Sequence, residues 1–125
     1  MSENTDLIDA FVAAWGKQDL DELMSFFADD AVYTNIPIDP PNEGREAIRK
    51  IIEGFIGMAQ KIEFVVHLQT ENAQGVVMNE RTDRFLIGDR WAEARVMGVF
   101  ELRDGKIAAW RDYFDLAQFN SQMSG

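Results

Sequence analysis

The sequence predicts an α+β fold: a curved antiparallel sheet forming a cone, with N-terminal helices packed on it. Two observations predict it. Apolar residues before position 60 recur mostly at helical spacing, and from residue 61 onward the period drops to two. The later apolar runs are also joined by short glycine-bearing connectors, so successive strands turn back on one another. At 125 residues the chain is expected to form one domain, 1–125. Such a length buries about two thirds of the unfolded surface, enough for a real core.

Residues 3–15 read as a helix, because Leu7, Ile8, Phe11, Val12 and Trp15 form one apolar stripe. Asn4 or Thr5 is expected to cap it. Asp19 caps a second short helix, with Glu22 three residues on as a capping box. Leu20, Leu23, Met24 and Phe27 are its inner face, and the two helices make a hairpin. Ala31 to Ile36 is a short extended piece that sets Ala31, Tyr33 and Asn35 on one side. Pro37, Pro40 and Pro41 then force a loop. Gly44 to Ala59 is the longest helix, with Ile48, Ile51, Ile52, Phe55, Ile56 and Ala59 as a stripe meant to lie across a sheet. Four strands follow: Ile62–Glu71, Val76–Ile87, Trp91–Leu102 and Ile107–Asp115. Asp104-Gly105 is a tight-hairpin signal. Residues 116–125 read as a polar tail, helical at first. A helix across one face of a curved sheet leaves an open end, which forms an apolar pocket with a few converging polar groups.

Composition narrows the function. The net charge is −10, which argues against nucleic acid or an anionic membrane as partner, since both need a basic face. Apolar residues make up 46% of the chain, so disorder is not expected. There is no cysteine, which excludes disulfides and thiolate metal sites. One histidine, His67, makes a zinc site improbable. No apolar run approaches the ~20 residues of a membrane span. The N-terminus is acidic, without the basic-then-apolar order of a signal peptide, and a cytoplasmic protein is expected.

The last strand carries the chemistry. Trp110, Asp112 and Phe114 share one of its faces. A carboxylate between two aromatics is costly to bury without partners. The strand VVMNERTDRFLI offers them: Val77, Asn79, Arg81, Asp83 and Phe85 alternate onto one face, polar at its centre. Arg81 and Asp83 sit two apart, about 7 Å along the strand. One arginine fork can serve a carboxylate on each side. Burial raises a carboxyl pKa, the arginine lowers it, and two like charges push the pair apart. Such splitting assigns one group as acid and the other as base. Tyr33 and Asn35 add a phenol and an amide that could hold a water with Asp112. The set suits addition of water with protonation of a leaving oxygen, without metal or cofactor. Trp110, Phe85, Met78, Ile56 and Phe114 are the expected substrate-binding wall.

These segments resemble the limonene-1,2-epoxide hydrolase family, within the nuclear-transport-factor-2-like (SnoaL-like) superfamily. The resemblance rests on Tyr33-Thr-Asn35 before the proline loop, Glu80-Arg81-Thr-Asp83, and Gly98 through Trp110-Arg-Asp112 to Asp115. It runs over most of the chain. It implies that Asp112 takes a proton from a water held also by Tyr33 and Asn35. Asp83 would protonate the epoxide oxygen, and Arg81 would bridge the two carboxylates, with no covalent intermediate. It also implies a homodimer joined through the outer faces of the last two strands. Two other readings stay open: a polyketide-cyclase or ketosteroid-isomerase-like enzyme, and a non-catalytic small-ligand-binding module. Taken singly, Asp112 with Arg81 reads as a structural ion pair; the five-residue set favours a site.

Overall fold

The computed structural model describes residues 2–124. The chain runs α1 (Glu3–Trp15), α2 (Leu20–Met24), β1 (Phe27–Ile36), β2 (Asn42–Glu43), α3 (Arg45–Met58), β3 (Lys61–Glu71), β4 (Val77–Ile87), β5 (Arg90–Arg103), β6 (Lys106–Phe114) and α4 (Leu116–Ser124). The strands form one six-stranded sheet in the order β2-β1-β6-β5-β4-β3. The sheet is curved and unclosed, and the helices pack on it.

The cap of α1 is Ser2, not Asn4 or Thr5. Ser2 Oγ accepts from Thr5 N at 3.0 Å and Thr5 Oγ1 accepts from Ser2 N at 2.9 Å, closing a reciprocal box. Asn4 is drawn elsewhere, donating to Glu71 Oε2 at 2.9 Å. Asp19 does cap α2, accepting from Glu22 N at 3.1 Å. The return half of that box is absent, because the Glu22 carboxylate pairs with Lys17 at 3.2 Å. Phe27 is not on α2; it is the first residue of β1. Gln18 ties the hairpin to α3 by donating to the carbonyls of Ile56 and Ala59 at 3.2 and 2.9 Å, which lack partners within their own helix.

Strands β3 to β6 form the expected antiparallel meander, and Asp104 and Gly105, both at positive φ, make the β5–β6 turn. Two elements lie outside the expected plan. The pair β1–β6 is parallel, and the two-residue strand β2 flanks β1 in the stretch that follows the prolines.

Alternation sends Val77, Asn79, Arg81, Asp83 and Phe85 inward on β4, all buried. Phe11 of α1, fully buried, stands near the centre of the core. It meets Trp110 edge-to-face at 5.0 Å and 89°, and also Phe26, Phe27 and Phe100. Such pairs each add about 0.5–1.5 kcal/mol beyond burial. The last helix α4 covers the open end of the sheet. Gln122 exchanges two hydrogen bonds with the Glu93 backbone at 2.7 and 2.8 Å, and Arg90 binds the carbonyls of Gln122 and Met123.

Candidate active site

The site is built on one transverse row of the sheet. Register places Asn35 beside Asp112, Asp112 opposite Gly98, Gly98 opposite Asn79, and Asn79 opposite Gln69. The row thus crosses five strands and carries polar groups at every step but one. Gly98 is that step, and its missing side chain leaves the slot into which Arg81 leans from the neighbouring row.

Arg81 fills this slot with four hydrogen bonds from its guanidinium. Nε and Nη2 donate to the two oxygens of Asp83, each at 2.9 Å, and Nη2 donates also to Asp112 Oδ2 at 2.7 Å. Nη1 donates to Asn79 Oδ1 at 2.9 Å. Phe64 stacks near the guanidinium, 5.2 Å from its ring centre. Asp112 Oδ1 accepts a second bond, from Trp110 Nε1 at 2.7 Å. Arg81, Asp83, Asp112, Asn79 and Trp110 are all buried, so breaking one partner away would strand a charge.

Charge and burial compete here. Burial pushes the Asp112 carboxyl up, Arg81 opposes it and Asp83 adds to it; the result is a pKa raised to about 6. Burial works against the charged Arg81, but the two carboxylates outweigh it and hold the proton more firmly than usual. Tyr33 is pushed well above an ordinary phenol by burial, and then by the charge of Asp112. It is a neutral hydroxyl at any physiological pH.

Tyr33, Asn35, Asp83 and Asp112 line one cavity, whose remaining wall is Trp15, Phe55, Phe64, Phe85, Ala94, Val96, Phe114 and Phe119. It offers about 380 Å³ of atom-free space including its mouth. A polar end faced by aromatic walls is the usual form of a small-molecule site.

Of the residues singled out from sequence, Tyr33, Asn35, Asp83, Asp112, Phe85 and Phe114 reach the cavity, and Arg81 lies beneath the two carboxylates. Three do not reach it. Met78 has the opposite parity to Asp83 on β4 and lies on the outer face, beside Leu68, Glu80 and Met97. Trp110 faces inward but is fully buried, sandwiched between Tyr33 at 4.0 Å and Phe100 at 5.5 Å; its contribution is the bond to Asp112. Ile56 points off the cavity, which takes Phe55 from α3 instead. Four aromatic wall residues were missed: Trp15, Phe55, Phe64 and Phe119. The first two were legible only as helix stripe, and Phe119 lay in a segment that looked like tail. His67 is away from the site, bonded to Thr82 Oγ1 at 2.8 Å. Among the described residues no group of three His, Asp or Glu side chains could hold a metal ion.

Fold and site together define a nuclear-transport-factor-2-like protein with a carboxylate–arginine–carboxylate cluster at the floor of an aromatic cavity. The chain belongs to the limonene-1,2-epoxide hydrolase family: the family's catalytic-domain model matches residues 2–124. It is 35% identical over 112 residues to the epoxide hydrolase EphG of Mycobacterium tuberculosis, covering 87% of this chain and 71% of that one. Its fold superposes on an M. tuberculosis LEH-like epoxide hydrolase with a TM-score of 0.79 and 29% identity, over 98% of this chain and 90% of that one. The epoxide hydrolase/cyclase-like SalBIII of salinomycin pyran ring formation shares the fold alone, with a TM-score of 0.82 at 17% identity over 92% of each chain.

Proposed function

We propose that this protein is a cofactor-independent epoxide hydrolase that adds water to an apolar epoxide in one step and releases a vicinal diol. The observation that carries the reading is the bridge itself: Arg81 holds Asp83 and Asp112 at 2.9 and 2.7 Å on the polar floor of an aromatic cavity. Two carboxylates against one guanidinium leave a net negative charge in a buried place, and a single proton neutralises it. Asp83 is assigned the acid, the group that gives a proton to the leaving oxygen. Asp112, ionised above about pH 6, is the base. A water held by Tyr33, Asn35 and Asp112 gives a proton to Asp112 while its oxygen bonds to an epoxide carbon. The carbon–oxygen bond breaks, and the freed oxygen takes the proton of Asp83. Return of one proton from Asp112 to Asp83 resets the site.

Aromatic walls support an apolar substrate, with limonene oxide, styrene oxide, cyclohexene oxide and a long-chain epoxide as the panel to try. Turnover of that panel in oxygen-labelled water tests the reading. A diol with one labelled oxygen, lost in Asp112→Asn, is expected. A cyclised or isomerised product without label would replace the reading by a cyclase or isomerase, and binding without turnover by a ligand-binding module.

The protein is further proposed to act as a homodimer through the outer face of β5 and β6. Met97 and Tyr113 stand opposite each other there, each 45% exposed, with Leu68 on β3 exposed at 70%. Apolar side chains grouped on a solvent face support an interface.

A further inference from the structure

Asn79 has no place in the chemistry above, yet it is 1% exposed and polar at both ends. Both ends are engaged. Its Oδ1 accepts from Arg81 Nη1 at 2.9 Å and its Nδ2 donates to Gln69 Oε1 at 3.0 Å. Gln69 Nε2 in turn donates to Asp9 Oδ1 at 2.8 Å. The chain of bonds runs from β4 through β3 to the exposed face of α1. Its direction is fixed at both ends. An ionised carboxylate can only accept and a guanidinium can only donate, so each amide has one orientation that satisfies it.

We infer that Asn79, Gln69 and Asp9 are positioning residues that anchor the Arg81 guanidinium from the side away from the substrate, so that its Nε–Nη2 edge stays presented to the two carboxylates. The inference rests on the hydrolase reading for its kinetic consequence but not for its geometry. Arg81 hangs on a flexible stem, and a planar fork serves two carboxylates only in one rotation about its last bonds. Asp83 and Asp112 both pull on the same edge. Asn79 is the hydrogen-bond acceptor on the Nη1 side, and it resists a turn that would swing Nη2 off Asp112. A buried amide left without its partner would be costly, so Gln69 and Asp9 hold Asn79 in turn. None of Asn79, Gln69 and Asp9 lines the cavity.

The test uses Asn79→Leu, Gln69→Leu and the double variant, with two readouts: the Asp112 carboxyl followed by carbon NMR across pH, and kcat and KM on an epoxide that the wild type hydrolyses. The charged and titratable groups facing Asp112 are Arg81, Asp83 and the Tyr33 phenol. Of these Arg81 is the one that lowers its pKa, so a loosened Arg81 lets the titration midpoint climb. Asn79→Leu is expected to raise it by about one unit and to cut kcat by about tenfold with KM within about twofold. Gln69→Leu, which leaves every bond of Arg81 in place and so keeps the test valid if Asn79→Leu fails to fold, should move both readouts the same way by less. The double variant should match Asn79→Leu alone, since the residues act in series. An unmoved Asp112 midpoint in folded Gln69→Leu and Asn79→Leu overturns the inference, as does full additivity. Should the wild type hydrolyse no epoxide, the hydrolase reading fails, and the NMR titration still decides the positioning role.

Discussion

Gly98 lies directly opposite Asp112 across the β5–β6 ladder, and a β-carbon there would fall 2.8 Å from Asp112 Oδ1 and 2.5 Å from Arg81 Nη1. No conformational demand explains this glycine; the need is room for the crossing of the guanidinium between two strands. Gly98→Ala should therefore fold and yet displace Arg81 or Asp112. A misplacement near 1 Å at a reacting group costs about 10²-fold in rate. The expected outcome is a loss of kcat of about that size, read beside a circular-dichroism melt. Wild-type turnover in Gly98→Ala would disprove the crowding.

The raised pKa of Asp112 fixes the sign of two pH effects. Activity should climb as pH rises through about 6, where Asp112, the proposed base, ionises. Stability should do the reverse. A carboxyl whose folded pKa exceeds its unfolded one stabilises the fold fully below the unfolded value of 3.8, and that contribution is lost as pH rises through about 6. The loss is on the order of 3 kcal/mol. Denaturant midpoints between pH 3.5 and 7 should fall from this group in the wild type, and the fall should shrink in Asp112→Asn. An equal fall in both proteins would mean that Asp112 titrates normally.

Trp110→Phe separates the hydrogen bond from the stacking. The ring between Tyr33 and Phe100 is largely replaced, but the donor to Asp112 Oδ1 is gone. That bond favours ionised Asp112, so the acid limb of kcat should move to higher pH. KM should hold, because Trp110 does not reach the cavity. A changed KM with an unmoved limb would instead make Trp110 part of the substrate wall, as its inward parity on β6 first suggested.

That case shows what sequence could and could not supply. Alternation alone grouped Asn79, Arg81 and Asp83 on one face of β4 and Asp112 with Trp110 on β6, because strand parity is a local property. It also placed Met78 opposite Asp83; assigning Met78 to the cavity went against that parity. Depth along a face is not local. Trp110 is covered by Phe11, Tyr33 and Phe100, which come from three other elements. The parallel β1–β6 pairing, which sets Asn35 beside Asp112, joins segments some 77 positions apart and leaves no mark in either strand's pattern. The same holds for Gly98, whose role exists only once three strands are in register.

Phe119 closes the cavity from α4, packing against Phe85 at 5.9 Å and Phe114 at 6.0 Å. It touches none of the polar groups. Phe119→Ala should therefore open the mouth without disturbing the Arg81 cluster. KM for a small epoxide should rise by about tenfold, the loss of one well-packed aromatic contact, while kcat stays within about threefold. Bulky epoxides should gain relative to small ones. A collapse of kcat would show that α4 also orders the polar floor.

The proposed dimer would meet on the outer face of the sheet. Met97 and Tyr113 project from adjacent strands beside Leu68, and a lysine in place of Met97 would set a charge in the middle of that patch. If two copies meet there, each Met97 is desolvated, and an unpaired buried charge is too costly for the interface to survive. Light scattering on the eluting wild type should then give twice the 14.2 kDa of one chain, and Met97→Lys should give 14.2 kDa with the fold retained. A monomeric wild type would leave these side chains as isolated surface apolars, which are common and carry no meaning by themselves. A Met97→Lys that stays dimeric would move the interface to another face.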